Sequence, residues 1–146
     1  MVEIKRTGEA EWQGNLKEGS GTLGTGSGVL KDQPYGFRTR FEDAPGTNPE
    51  ELLAAAHAAC YSMAFSHTLA AKGYAPESVR TRATCVLSPQ EGGGFRITAM
   101  RLEVRGRVPG LDQDEFAEIA REAHEGCPVS NALRGGMDIE LDAQLA

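Results

Sequence analysis

The chain predicts an α+β fold, with mostly antiparallel strands arranged around one long helix. Three observations lead there. A capping signature opens a run of helix formers that reaches Lys72 without a break. Segments of alternating apolar and polar residues lie on both sides of that run. Glycine- and proline-rich turns separate those segments.

The first third reads as three strands. Residues 2–12 mix apolar and polar side chains, and residues 20–30 are rich in Gly and Thr. Gln33-Pro34-Tyr35-Gly36 supplies a turn. Beyond it Tyr35, Phe37, Thr39 and Phe41 alternate with Arg38 and Arg40, which predicts a strand carrying both arginines on its polar face. The long helix follows. Thr47-Asn48-Pro49-Glu50 fits a capping box with Thr47 as N-cap and Pro in the first turn, and Gly73 marks the C-terminal stop. The helix is apolar on more than one face, so it is expected to be largely buried.

Residues 78–87 return to strand, with Val79, Thr81, Ala83, Cys85 and Leu87 on one face. Gly92-Gly93-Gly94 turns the chain into a long strand, residues 95–108, closed by Pro109-Gly110. Residues 111–125 form an amphipathic helix, with Asp112 as N-cap and Phe116, Ile119, Ala120 and Ala123 on its apolar face. A short helix over residues 128–133 and a strand over residues 137–145 complete one domain spanning residues 1–146.

Composition narrows the function. The net charge is -6 and there is no run of Lys or Arg, which disfavours nucleic-acid and anionic-membrane partners. The apolar stretch from Leu52 to Ala59 is too short to span a bilayer, and residues 1–6 lack the apolar core of a signal peptide. The cytoplasm is the expected compartment. There, 3 cysteines point to reactive or buried thiols rather than a disulfide framework.

Cys60 sits mid-helix in an alanine-rich segment, where the helix dipole gives its thiolate no help; it needs a cation, and Arg38 and Arg40 are the nearest in sequence. Cys127 precedes Pro128 and is expected to cap the short helix, where free N–H groups favour a thiolate. Local physics therefore ranks Cys127 as the more acidic thiol. Cys85 faces the buried side of a strand and reads as structural. Glu50 and Glu51 complement the N-terminus of the long helix. Glu50 lies about 15 Å along that helix from Cys60. In an antiparallel pair of such helices crossing near Ala55, Glu50 of one chain would lie level with Cys60 of the other. The small residues Ala54-Ala55-Ala56 would permit the close approach.

Two other patterns compete. Gly19-Ser20-Gly21-Thr22-Leu23-Gly24 matches G-x-G-x-x-G but lacks the following helix and acidic partner of a nucleotide site. His57-x-x-Cys60 and His124-x-x-Cys127 offer a Cys2His2 set, so a zinc-stapled structural protein is one alternative. A hydrophobic-ligand carrier with incidental thiols is the other.

Several stretches taken together resemble the OsmC (osmotically inducible protein C) family, sister to the organic hydroperoxide resistance proteins. They are Gln33-Pro34-Tyr35-Gly36-Phe37 with Thr39-Arg40-Phe41, residues 47–53, Ala55-Ala56-His57-Ala58-Ala59-Cys60, and Gly126-Cys127-Pro128-Val129-Ser130. The resemblance implies an intertwined homodimer with sheets wrapped around central helices. It implies a peroxiredoxin-like reductase of organic hydroperoxides serving oxidative and osmotic stress defence. By position it makes Cys60 the peroxidatic cysteine and Cys127 the resolving one, the reverse of the local ranking. Arg40 becomes the activating arginine and Glu50 its carboxylate partner. It implies no cofactor or metal beyond an external dithiol reductant, with a lipoylated protein among the candidates. Met63, Phe65 and Phe37 are candidate pocket residues, and Arg38 has no assigned role.

Overall fold

The computed structural model describes residues 2–146. The described residues divide into two compact units, one ending at Leu52 and the other spanning Leu53–Ala146.

In the first unit, β1 (Gly8–Gln13), β2 (Ser20–Thr25) and β3 (Gln33–Tyr35) form an antiparallel sheet in that order. Trp12 and Tyr35 pack across it with ring centroids 5.5 Å apart. Gly21 lies beneath both rings: a Cβ there would meet the Trp12 ring at 2.6 Å and the Tyr35 ring at 2.7 Å. The G-x-G-x-x-G pattern thus sits in a strand that must pass under two aromatics.

The segment read as a third alternating strand is instead a single-turn helix, α1 (Phe37–Phe41). Phe37 and Phe41 are four residues apart, a spacing that places them on one face under either the strand or the helix period. Their rings meet with centroids at 5.0 Å. The Thr39 hydroxyl closes back on the Gly36 N–H at 2.9 Å and fixes the helical choice. The change separates the two arginines: at 100° per residue, Arg38 and Arg40 point to different sides. Arg38 pairs on the surface with Glu42 at 3.4 Å.

The long helix is α2 (Pro49–Ala71). Its cap is Asn48 rather than Thr47, with Asn48 Oδ1 accepting the Glu51 N–H at 2.8 Å. The expected stop at Gly73 is present. The Gly73 N–H reaches the Ala70 carbonyl and the Tyr74 N–H reaches that of Leu69, satisfying carbonyls the helix leaves open. Burial differs from the sequence expectation. One stripe, Ala54, His57, Tyr61, Phe65 and Leu69, is buried, whereas Ala55, Ala56, Ala59 and Met63 are exposed in the single chain.

In the second unit, β4 (Ser78–Pro89) and β5 (Phe95–Arg107) pair antiparallel, with an irregularity at Val86/Leu87. β6 (Asp138–Leu145) joins the other edge of β5 in parallel, so the sheet is mixed. A parallel neighbour requires a crossover. Here the crossover contains α3 (Gln113–Gly126) and α4 (Pro128–Leu133). Asp112 caps α3 by accepting the Glu115 N–H at 2.9 Å. Phe116, Ile119, Ala120 and Ala123 are buried, as the periodicity predicts. They pack in one core with the α2 stripe and with Met100, Leu102 and Val104 of β5. The Tyr61 hydroxyl donates to the Ala120 carbonyl at 2.7 Å, and Phe65 meets Phe116 edge-on at 4.9 Å.

Gly106 leaves room for Phe116: a Cβ there would come within 2.6 Å of the ring. Gly106→Ala is expected to destabilise the protein by about 1–3 kcal/mol, the range for overpacking a core. Chemical denaturation of the two chains measures the difference, and equal midpoints would contradict it.

Candidate functional site

Cys127 occupies the corner between two helices. Its N–H closes α3 on the His124 carbonyl at 3.4 Å, and its sulfur accepts the Ser130 N–H at 3.5 Å as N-cap of α4. Pro128 follows as the first residue of α4, with its φ preset for a helix and no N–H to satisfy. The corner presses Cys127, which is fully buried, against the middle of α2. There its Sγ lies 3.4 Å from Cys60 Sγ, and Cys60 itself is only half-buried.

The two thiols are not equivalent. Burial acts to raise Cys127, but the Ser130 hydroxyl and amide, Cys60 and the Val129 amide together draw it below the ordinary thiol range. Burial pushes Cys60 up, the Val129 amide opposes this, and the Cys127 sulfur adds to the rise. Within the second unit, the local ranking of Cys127 as the stronger acid therefore holds. Cys85 lies half-buried on β4 and packs against the core.

The first unit holds the other pair. Arg40, on α1, donates to Glu50 through Nε at 3.0 Å and Nη2 at 2.8 Å. Glu50 is 7% exposed, and this planar fork of donors pairs its buried carboxylate. Asn48 links the two elements: it caps α2 with Oδ1 while its Nδ2 donates to the Thr39 carbonyl of α1 at 3.0 Å. Beside Arg40 a cleft of about 410 Å³ is lined by Trp12, Leu16, Tyr35, Phe37 and Phe41. Of the candidate pocket residues, Phe37 lines this cleft. Phe65 is fully buried in the core, and Met63 is 76% exposed on α2.

The predicted residues thus come together as two pairs, Cys60 with Cys127 and Arg40 with Glu50. Three residues that the sequence reading did not single out support them. Asn48 is one. Ser130 is another: it is fully buried, and its Oγ lies 2.7 Å from His57 Nε2 and 2.9 Å from His124 Nδ1. Thr39 is the third. The doubled H-x-x-C spacing was the available signal for the histidines, since residues three apart share a helix face. In the fold the two rings turn to Ser130. Among the described residues, no group of three or more His, Cys, Asp or Glu is placed to hold a metal ion.

The family described as OsmC-like protein matches residues 41–142. The chain is 49% identical over 144 residues to Peroxiredoxin OsmC of Escherichia coli K12, covering 99% of each. It is 32% identical over 123 residues to organic hydroperoxide resistance protein OhrB of Bacillus subtilis, covering 84% of this chain and 88% of that protein. The crystal structure of that OhrB superposes with a TM-score of 0.74 at 29% identity, covering 94% of this chain and 98% of that one. The fold is the α+β fold of the OsmC and organic hydroperoxide resistance proteins, a class whose members carry peroxiredoxin and hydroperoxide-resistance names. Within it, this chain belongs to the OsmC family.

Both imidazoles are held below the ordinary histidine range. Burial lowers His57 first and the neighbouring His124 second. For His124 burial again comes first, then Arg134, with Glu125 opposing. Near pH 6.5 and just below, the unfolded chain takes up protons at these rings that the folded chain still resists, so roughly there stability starts to fall with pH. The contribution is complete above that pH and is lost as the pH drops towards the folded values. Thermal melts of the reduced protein are expected to move down between about pH 7.5 and about pH 5.5, with a smaller drop in His124→Gln. Equal drops in both chains would rule out the His124 contribution.

Proposed function

We propose that this protein is a thiol-dependent peroxidase that reduces organic hydroperoxides to alcohols, with Cys60 attacking and Cys127 resolving. The observation that carries the reading is the 3.4 Å approach of two sulfurs 67 residues apart in sequence. The Cys60 thiolate attacks the terminal oxygen of the hydroperoxide. The O–O bond breaks, the alkoxide leaves and takes a proton, and Cys60 becomes a sulfenic acid. Cys127 then displaces hydroxide from the Cys60 sulfur, giving a disulfide and water. An external dithiol restores both thiols by exchange.

Cys60 needs a cation to attack first, because its own surroundings make it the weaker acid. Arg40 is the proposed source, held in register by Glu50. Glu50 and Cys60 lie ten residues apart on α2, about 15 Å of helix rise. A homodimer meets that constraint: two α2 helices crossing antiparallel near Ala55 bring Glu50 of one subunit level with Cys60 of the other. The exposed stripe Ala55, Ala56, Ala59 and Met63 supports this crossing, since it is apolar and mostly small. The aromatic cleft beside Arg40 suits an alkyl or aryl hydroperoxide better than hydrogen peroxide. The whole chain acts as one domain in this proposal, and the cytoplasm, with its supply of reduced dithiols, is the proposed compartment.

Reduced protein is expected to consume one equivalent of cumene hydroperoxide per Cys60 in a burst without added reductant. The burst should vanish in Cys60→Ser and persist in Cys85→Ser. Cys127→Ser should turn over once and then over-oxidise to sulfinic acid, detectable by mass spectrometry. Sustained dithiol-driven cycling in Cys127→Ser would exclude the resolving role, and a burst in Cys60→Ser would exclude the whole scheme.

The cation and the dimer are tested separately. Arg40→Met is expected to slow the burst by about 10²-fold, the usual cost of losing one charge-stabilising donor group. Ala55→Glu should yield monomers by light scattering and lose the burst with the dimer. A dimeric Ala55→Glu chain would place the crossing elsewhere.

A further inference from the structure

The peroxidase reading leaves one chemical difficulty at Cys127. The resolving thiol must lose a proton to attack the sulfenic acid, yet Cys127 is fully buried and cannot hand it directly to water. The Ser130 amide donates to the Cys127 sulfur at 3.5 Å, and the hydroxyl of the same residue, which helps hold that thiol below its ordinary range, lies 2.7 Å from His57 Nε2 and 2.9 Å from His124 Nδ1. A hydroxyl has one proton to give and two lone pairs to receive with. Two of the possible patterns link the Cys127 proton to the hydroxyl. With a thiolate, the hydroxyl donates to sulfur and both imidazoles donate to the hydroxyl. With a thiol, the S–H donates to the hydroxyl, the hydroxyl donates to one imidazole, and the other imidazole donates to the hydroxyl.

The two rings differ in which can switch. His57 is fully buried, and its Nδ1 has no partner among the described residues. A proton there would be an orphaned N–H, whereas an empty lone pair costs less. His57 is thus fixed as a donor through Nε2. His124 is only half-buried, so its ring can exchange a proton with solvent.

We infer that Ser130 and His124 form the path by which Cys127 releases its proton: Cys127 S–H to Ser130 Oγ, Ser130 O–H to His124 Nδ1, and His124 Nε2–H to water. His57 anchors the hydroxyl throughout. The released proton and the hydroxide displaced from Cys60 together make the water of condensation, so the step balances. The depressed imidazole basicity fits a relay that passes protons on rather than storing them. The titratable and charged groups facing this path are Cys60, His57 and Tyr61 from α2, with Arg134 and Glu125 beside His124.

The inference rests on the peroxidase reading, and one experiment separates the two. Reduced protein is mixed with one equivalent of cumene hydroperoxide, and the closing of the Cys60–Cys127 disulfide is followed by acid quench and thiol labelling across pH. His124→Ala and Ser130→Ala are expected to slow closure about tenfold near neutral pH and to move its pH profile upward. Free imidazole should restore the rate of His124→Ala in a concentration-dependent manner, which a purely structural role would not allow. Wild-type closure rates in both variants, or no response of folded His124→Ala to imidazole, would overturn the path. A wild-type chain that forms no disulfide would instead overturn the peroxidase reading. The partly exposed His124 site keeps the test decisive even if Ser130→Ala does not fold.

Discussion

The corner at Cys127 is the constraint on which the chemistry depends. One residue ends α3, caps α4 and carries a sulfur, all within a crossover that the parallel pairing of β5 and β6 requires. Because α3 packs its apolar face on the same core as the buried stripe of α2, the corner is held against Cys60 by the same contacts that stabilise the unit. Phe116 and Ala120 meet Phe65 and Tyr61 through a ring contact and a hydrogen bond. The sulfur-to-sulfur approach is therefore a consequence of core packing and does not need a flexible loop to find it.

The charges are arranged with the same economy of parts. Asn48 starts α2 and ties down α1 in one side chain, so the arginine on α1 and the carboxylate on the first turn of α2 share one support. Ser130 plays the matching part in the second unit, joining two histidines from different helices to the cysteine that caps its own. Each pair of reactive groups thus has a small polar residue beside it that joins two helices.

Much of this was legible residue by residue. Asp112, Cys127 and Pro128 announced their helix ends because capping depends on local backbone groups. The apolar face of α3 followed from its period. The segment Phe37–Phe41 was misread because an i, i+4 aromatic pair suits both a strand and a helix. The Thr39 hydroxyl, closing on the Gly36 N–H, decides between them, and Asn48 supports the choice from beyond the segment through the Thr39 carbonyl. The reading of α2 as largely buried failed for a related reason. Periodicity shows that several faces are apolar, but not how many of them one chain can cover.

The sequence by itself determined most of the element order and the two thiols, because caps and periods are local properties, and it carried the family resemblance through which Arg40 and Glu50 were paired. Only the tertiary structure decided that Arg38 and Arg40 point apart, that Cys60 and Cys127 touch, and that His57 and His124 converge on Ser130. Those facts depend on contacts between residues far apart in the chain. Such contacts are selected by packing and by the need to pair every buried polar group, neither of which a single segment records.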